Sequence, residues 1–80
     1  MKLPRDVSAS ELTHALKKLG YEVTRQSGSH LRLTTVERGQ HHVTIPNHDP
    51  INVGTLAGIF SDVATHFELS RDELLQRIFG

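Results

Sequence analysis

Apolar positions change their spacing along the chain, and each spacing predicts one kind of element. Near the amino end, one helical face is marked at three- and four-residue intervals by Leu12, Ala15, Leu16 and Leu19. Ser8 and Glu11 form an S-x-x-E capping box before this stripe, and Gly20 stands where a helix would end. The pattern therefore predicts a first helix between residues 8 and 20.

A spacing of two follows, which is typical of strands with one buried face. It runs through residues 21–26, 29–36 and 41–45. Residues 27–28 and 37–40 form short glycine-containing turns, and Pro46 ends the last strand because proline cannot donate to a strand ladder. Short turns join antiparallel neighbours, so the pattern predicts a three-stranded antiparallel sheet.

The longest apolar stripe lies in the second half of the chain and returns to helical spacing. It consists of Leu56, Ile59, Phe60, Val63, Ala64 and Phe67. A second capping box, Ser70 with Glu73, opens a short last helix that carries Leu74, Leu75, Ile78 and Phe79. We expect the long stripe to form the centre of the core with Leu12, Leu16, Leu31, Leu33, Val43 and Ile45.

The order of these elements is α-β-β-β-α-α, which predicts an α+β fold. One sheet face and two helical stripes need burial, so both main helices should cover the same face of the sheet. The other face would stay open to solvent. A chain of 80 residues is the length of a single domain, here residues 1–80.

Composition narrows the functional classes. The chain has no cysteine, which excludes a disulfide framework and a thiolate metal site. No apolar run approaches the roughly 20 residues that span a bilayer. The segment MKLPRDVSAS lacks the apolar core of a secretory signal, so we expect a soluble cytoplasmic protein with no membrane partner.

Charge is unevenly distributed although the formal net charge is zero. Residues 1–48 contain seven Lys and Arg against four Asp and Glu, together with five of the six histidines. Residues 49–80 contain two Arg against five acids. This segregation favours a polyanion-facing side in the first part of the chain, although chance also produces it in a short sequence.

The open sheet face carries the candidate chemistry. In GSHLRLT, His30, Arg32 and Thr34 alternate with the leucines and should point outward, and parity places His42 and Thr44 beside them. Imidazole exchanges protons near neutral pH, and guanidinium matches phosphate with a forked donor set. Together they suit cleavage of a phosphodiester, whereas a polar strand face without any role is the alternative.

A metal site is the other chemistry that the histidines could indicate. His41, His42, His48 and Asp49 are rich in possible ligands. However, His41 and His42 are adjacent on a strand and should point to opposite faces, with His41 at a strand edge or partly buried. No H-E-x-x-H motif occurs, so we expect no metal site.

Four segments in order give the chain a resemblance to a known family. These are the helix end KKLGY, the turn and strand GSHLRL, the loop VTIPNHD and the helix start INVGTLAGIF. With their spacing they resemble the HicA-type toxins over residues 3–79. These toxins are small endoribonucleases of bacterial and archaeal toxin–antitoxin systems with a fold like that of double-stranded-RNA-binding domains.

The resemblance implies a function and a set of residues. His30 corresponds to the catalytic histidine of the family, with Gly28 in the same motif, and Pro46-Asn47-His48 and Gly54-Thr55-Leu56 match further family elements. It implies a type II toxin that cleaves messenger RNA without metal or cofactor and is bound by a HicB-like antitoxin. Expected RNA-binding residues are Gly28, Ser29, Arg32, His42 and His48, with His42 or His48 as a second proton carrier. The alternative is a non-catalytic RNA-binding or protein-interaction module of the same fold.

Overall fold

The elements follow the predicted order in a computed structural model, which describes residues 3–80. In chain order they are α1 (Ala9–Leu16, continued by a 3₁₀ turn at Lys17–Leu19), β1 (Glu22–Ser27), β2 (His30–Thr35), β3 (His41–Pro46), α2 (Val53–Phe67) and α3 (Arg71–Phe79). The strands form one antiparallel sheet in the order β1-β2-β3. The predicted α+β fold is confirmed.

Local capping signals account for where the helices begin and end. Ser8 accepts from the Glu11 amide at 3.1 Å, and the Glu11 carboxylate accepts from the Ser8 amide at 3.2 Å, which completes the predicted capping box. Ser70 and Glu73 repeat this arrangement at α3. Gly20 has φ of +82°, a left-handed conformation that favours glycine and turns the chain from α1 toward β1.

The core lies between the helices and one face of the sheet. On that face Leu33 pairs with Val43, and both are buried together with Ile45. All six residues of the predicted stripe on α2 are buried against them. On the opposite face of β2 and β3, Arg32 and His42 are exposed and Thr34 is half-buried, so the predicted open face is confirmed.

One residue of the predicted core, Leu31, lies at its margin. Leu31 is only partly buried, because it lies near the β1–β2 turn and pairs with the exposed Gln26 at the margin of the core. Phe79 ends α3 with 40% of its surface exposed, although its ring contacts Phe60 edge-on. Ile51, which lies in the loop before α2, is buried in the core although the apolar pattern did not predict it.

Tyr21 is fully buried and links the sheet to α2 through a histidine. Its hydroxyl lies 2.7 Å from His41 Nδ1, and His41 Nε2 lies 3.1 Å from the Asp62 carboxylate. The network assigns the phenol as the donor to Nδ1 and the Nε2–H as the donor to Asp62. His41 is 17% exposed in its side chain, as predicted for a partly buried strand-edge residue.

Tyr21 should stay protonated in the folded protein at alkaline pH. Burial, followed by the negative charge of Asp62, raises the pKa of the phenol above its ordinary value of 10.0. Tyr21 is the only tyrosine of the sequence, so near-ultraviolet phenolate absorbance reports this group alone. We expect that absorbance to appear near pH 10 in denaturant and at higher pH in the native chain.

The same shift makes stability depend on pH with a defined sign. The pKa of Tyr21 is higher in the folded chain than in the unfolded chain. The stabilisation that the protonated phenol gives the folded state is therefore complete below the unfolded-state pKa of about 10 and is lost as pH rises further. Tyr21→Phe should remove this dependence in denaturation curves measured at several alkaline pH values. Native phenolate absorbance that already rises near pH 10 would contradict the assignment.

Candidate functional site

A groove of about 300 Å³ crosses the open face of the sheet. All three strands contribute to its lining, which consists of Arg25, Ser27, His30, Arg32, His42 and Thr44. The groove therefore brings together four of the five side chains that strand parity predicted to point outward, namely His30, Arg32, His42 and Thr44. It joins two imidazoles to two guanidinium groups at one site.

The pairing of β2 with β3 explains how these predicted residues meet. Arg32 lies directly opposite Thr44, and Thr34 lies directly opposite His42. Directly opposed residues on antiparallel strands share a face and have Cβ atoms about 4.5–5.5 Å apart. The same register places Leu33 and Val43 on the buried face, so burial of that pair holds the groove residues outward.

Arg25 joins the groove through a β-bulge that the sequence pattern did not reveal. Strict alternation places Arg25 on the same face as the buried Tyr21. The ladder shifts register between Val23 and Arg25, so that Val23 pairs with Leu33 while Arg25 pairs with Arg32 on the open face. The available signal was the arginine itself, because a charged side chain at a core-facing position is rarely tolerated without a partner.

His42 is held by a chain of hydroxyl groups that crosses the sheet. Thr34 Oγ1 lies 2.7 Å from His42 Nδ1 and 2.8 Å from Thr24 Oγ1. Thr24 in turn donates to the Arg32 carbonyl oxygen at 3.3 Å. Thr24 is the extra residue at the bulge, so the irregularity that redirects Arg25 also supplies a hydroxyl to this chain.

The β1–β2 turn borders the groove at one end. Gly28 has φ of +57°, and a Cβ placed on it would meet no atom within 4 Å. The glycine thus serves the backbone conformation of the turn and leaves open space beside it. The carbonyl of Ser29 accepts from the Asn47 amide at 2.6 Å, which ties the turn to the loop after β3.

His48 lies in that loop and is not among the residues that line the groove. Its carbonyl oxygen accepts from the Ala9 amide at 3.0 Å, and its own amide donates to the Pro46 carbonyl at 2.8 Å. The backbone of His48 therefore connects the end of β3 to the start of α1. The structure brings His30 and His42 into the groove, and it leaves His48 outside.

The charges in the groove suit a polyanion more than a cation. The lining residues contribute guanidinium and imidazole groups, and in the described part of the chain no carboxylate belongs to that lining. Among residues 3–80, no three histidine or acidic side chains come close enough to hold a metal ion. His41 and His42 point to opposite sides of the sheet, as predicted, because His41 faces Tyr21 and His42 faces Thr34.

No helix within residues 3–80 has both the length and the apolar character needed to cross a membrane.

Comparison with known proteins identifies a family that most of the chain matches. Residues 9–64, more than half of the chain, match the model of the family described as the HicA toxin of bacterial toxin–antitoxin. The searches of curated proteins and of solved structures each find no match. The matched range contains every residue that lines the groove.

Proposed function

Because the chain belongs to the HicA toxin family of bacterial toxin–antitoxin systems, we propose that it is a metal-independent endoribonuclease with His30 as its catalytic residue. The observation that carries this proposal is the groove itself. It places His30 beside Arg25, Arg32 and His42 on a face that no other element covers in the described part of the chain. Single-stranded messenger RNA is the proposed substrate, and the cytoplasm is the proposed site of action.

The proposed reaction uses a nucleophile that RNA itself supplies. His30 removes the proton from a 2′-hydroxyl, and that oxygen attacks the adjacent phosphorus. The bond from phosphorus to the 5′-oxygen breaks, and this oxygen takes up a proton. The products are a 2′,3′-cyclic phosphate and a 5′-hydroxyl. A metal-bound water is unnecessary in this route, because the attacking oxygen is internal and an imidazole is a sufficient base.

The two arginines are suited to the charge that develops on phosphorus. Arg25 and Arg32 are cross-strand partners on the open face, so their guanidinium groups can approach one phosphate from two strands. Donors placed where negative charge accumulates lower the barrier without reorganising during the reaction. We propose that Arg32 and Arg25 both hold the scissile phosphate, whereas Gly28 and Ser29 let the RNA backbone pass close to the turn.

End-group analysis of cleaved RNA tests the reaction directly. Purified protein is incubated with a defined single-stranded RNA, with and without a chelator, and the new termini are identified. We expect cyclic phosphate and 5′-hydroxyl ends in both cases. Binding of the RNA without cleavage would favour the non-catalytic RNA-binding module, and a chain that does neither would favour a protein-interaction module.

Arg25 gives a prediction that depends on the bulge. Arg25→Ala should lower kcat/KM for RNA by about 10-fold, since a hydrogen bond to a charged group contributes about 1.5 kcal/mol or more. The salt dependence of RNA binding should also become shallower, because one phosphate contact is lost.

Gln26→Ala is the matched control for this prediction. Gln26 is the next residue on β1 and pairs with Leu31 instead of Arg32. Its side chain therefore points away from the groove, toward the opposite face of the sheet. We expect this variant to keep the parent kcat/KM. Equal effects of the two substitutions would mean that Arg25 does not contact the substrate through the groove.

The proposed partner is a HicB-like antitoxin that covers the groove. An exposed nuclease site on an open sheet face must be blocked while the cell grows, and steric occlusion of His30 is the most direct block. Co-expression with the protein from a neighbouring reading frame should yield a stable complex, and separation should restore cleavage. An antitoxin footprint that leaves the His30 side chain open to solvent would refute occlusion.

A further inference from the structure

Cleavage by an internal 2′-hydroxyl requires a second proton transfer, because the departing 5′-oxygen must gain a proton as the bond to phosphorus breaks. His30 cannot remove the proton of the 2′-hydroxyl and donate a proton to the 5′-oxygen at the same instant. The groove contains another imidazole, His42, on the neighbouring strand. His48 lies outside the groove, and His41 faces Tyr21 and Asp62 on the other side of the sheet.

The hydroxyl chain next to His42 determines which ring nitrogen carries a proton. Each threonine hydroxyl has a single proton to donate. Thr24 donates its proton to the Arg32 carbonyl, which can only accept. The pattern that satisfies all three contacts then has Thr34 donating to Thr24 and His42 Nδ1–H donating to Thr34. In the neutral ring Nε2 is consequently the nitrogen without a proton.

We infer that His42 is the general acid of the groove and that Thr34, supported by Thr24, is its positioning residue. The inference rests on the proposed function and assigns a residue to the proton transfer that the function requires. Imidazolium His42 donates its Nε2 proton to the departing 5′-oxygen. The ring then becomes the neutral Nδ1–H form. In this form Nδ1–H still donates to Thr34, so the hydrogen bonds that link Thr34 and Thr24 to the Arg32 carbonyl are kept.

The proton balance closes without another reactant. His30 gains the proton of the 2′-hydroxyl, and His42 loses one proton to the 5′-oxygen. The two histidines end in exchanged protonation states and return to their starting states by exchange with water. Apart from the two proton transfers, the bond between phosphorus and the 5′-oxygen is the only bond broken, and the bond between the 2′-oxygen and phosphorus is the only bond formed.

The groups that face His42 are identified by the strand pairing. Thr34 lies opposite it on β2, and Glu22 lies opposite Thr34 on β1. Arg25, Arg32 and His30 are the charged or titratable residues that share the groove with it. Helices pack on the other side of the sheet, so these strand residues form the electrostatic surroundings of the ring.

The positioning role is tested by nitrogen NMR of the His42 ring, which does not depend on catalysis. We expect neutral His42 to carry its proton on Nδ1 in the parent chain and in Thr34→Ser, which keeps the hydroxyl. Thr34→Val has the same shape without the hydroxyl and should shift the proton to Nε2, the form that free histidine favours in water. An unchanged tautomer in Thr34→Val would overturn the positioning role, provided that the melting temperature shows a folded variant.

The catalytic role is tested by the pH profile of cleavage. A general base must be deprotonated and a general acid protonated, so the parent should show a rise with pH followed by a fall. His42→Ala should lower kcat by about 100-fold or more and lose the fall while keeping the rise. Thr34→Val should lower kcat by about 10-fold at unchanged KM, and Thr34→Ser should restore it.

The outcomes separate this inference from the proposed function. A parent chain that cleaves RNA, together with a His42→Ala variant that keeps the parent rate and profile, would overturn the role of His42 and leave His30 in place. A parent chain that does not cleave would overturn the proposed function and the catalytic role of His42 together. The ring tautomer would still decide whether Thr34 positions His42.

Discussion

His30→Ala is expected to lower the rate of RNA cleavage by about 10²–10⁴-fold, the usual contribution of one acid–base group. The fold should be unaffected, because His30 is exposed on the open sheet face, whereas Leu33 of the same strand is the residue that packs in the core. Circular dichroism and the melting temperature check the fold, and the rate of appearance of cyclic phosphate ends checks the chemistry. Induced expression in a host cell should no longer stop growth.

His14→Ala is the matched control for His30→Ala. His14 is an exposed histidine on α1 and does not line the groove, so its loss removes an imidazole without touching the proposed chemistry. Cleavage should continue at the parent rate in this variant. If folded His30→Ala protein also cleaves at the parent rate, His30 is an ordinary surface residue without a catalytic role. The alternative of a binding module would then be favoured.

Phe60→Ala is expected to destabilise the fold by about 3–5 kcal/mol, the range measured for large aromatic residues in protein cores. Phe60 is completely buried in the middle of α2, and removal of its ring leaves a cavity that the surrounding helices and strands cannot fill without moving. Domains are stable by about 5–15 kcal/mol in total, so this loss is a large part of the whole. Urea denaturation followed by circular dichroism gives the change.

Phe79→Ala provides the comparison at constant chemistry. This substitution removes the same ring as Phe60→Ala, but Phe79 is 40% exposed at the end of α3. Its replacement should cost about 1–2 kcal/mol, since less apolar area leaves the interior. A Phe60→Ala variant that melts with the parent chain would mean that α2 does not carry the centre of the core.

Much of the architecture could be predicted because its signals are local. The two capping boxes depend on residues three positions apart, and Ser8 with Glu11 forms the expected pair of hydrogen bonds. The stripe on α2 depends on helical spacing alone, and every residue in it is buried. Leu31 was misplaced because alternation predicts which face a residue shares, but not how far along the strand the core extends.

The candidate site was predictable in part for the same reason. His30 and Arg32 share a face through their spacing on one strand, and His42 joins them once the turn between β2 and β3 is short. Arg25 could not be placed, because a bulge changes the face of every later residue on the strand and leaves no mark in the hydrophobic pattern. The family resemblance selected His30 among six histidines, which residue chemistry alone did not do.

Spacing within single segments is enough to specify the elements, their order, the buried face of the sheet and the outward direction of His30 and Arg32. Three further features depend on how the strands and loops assemble: Arg25 faces Arg32, Thr34 holds His42, and His48 stays outside the groove. These three outcomes depend on register between separate strands and on the path of the loop after β3. Register is set by how whole strands pack on a shared core, so contacts between distant segments are required to specify it.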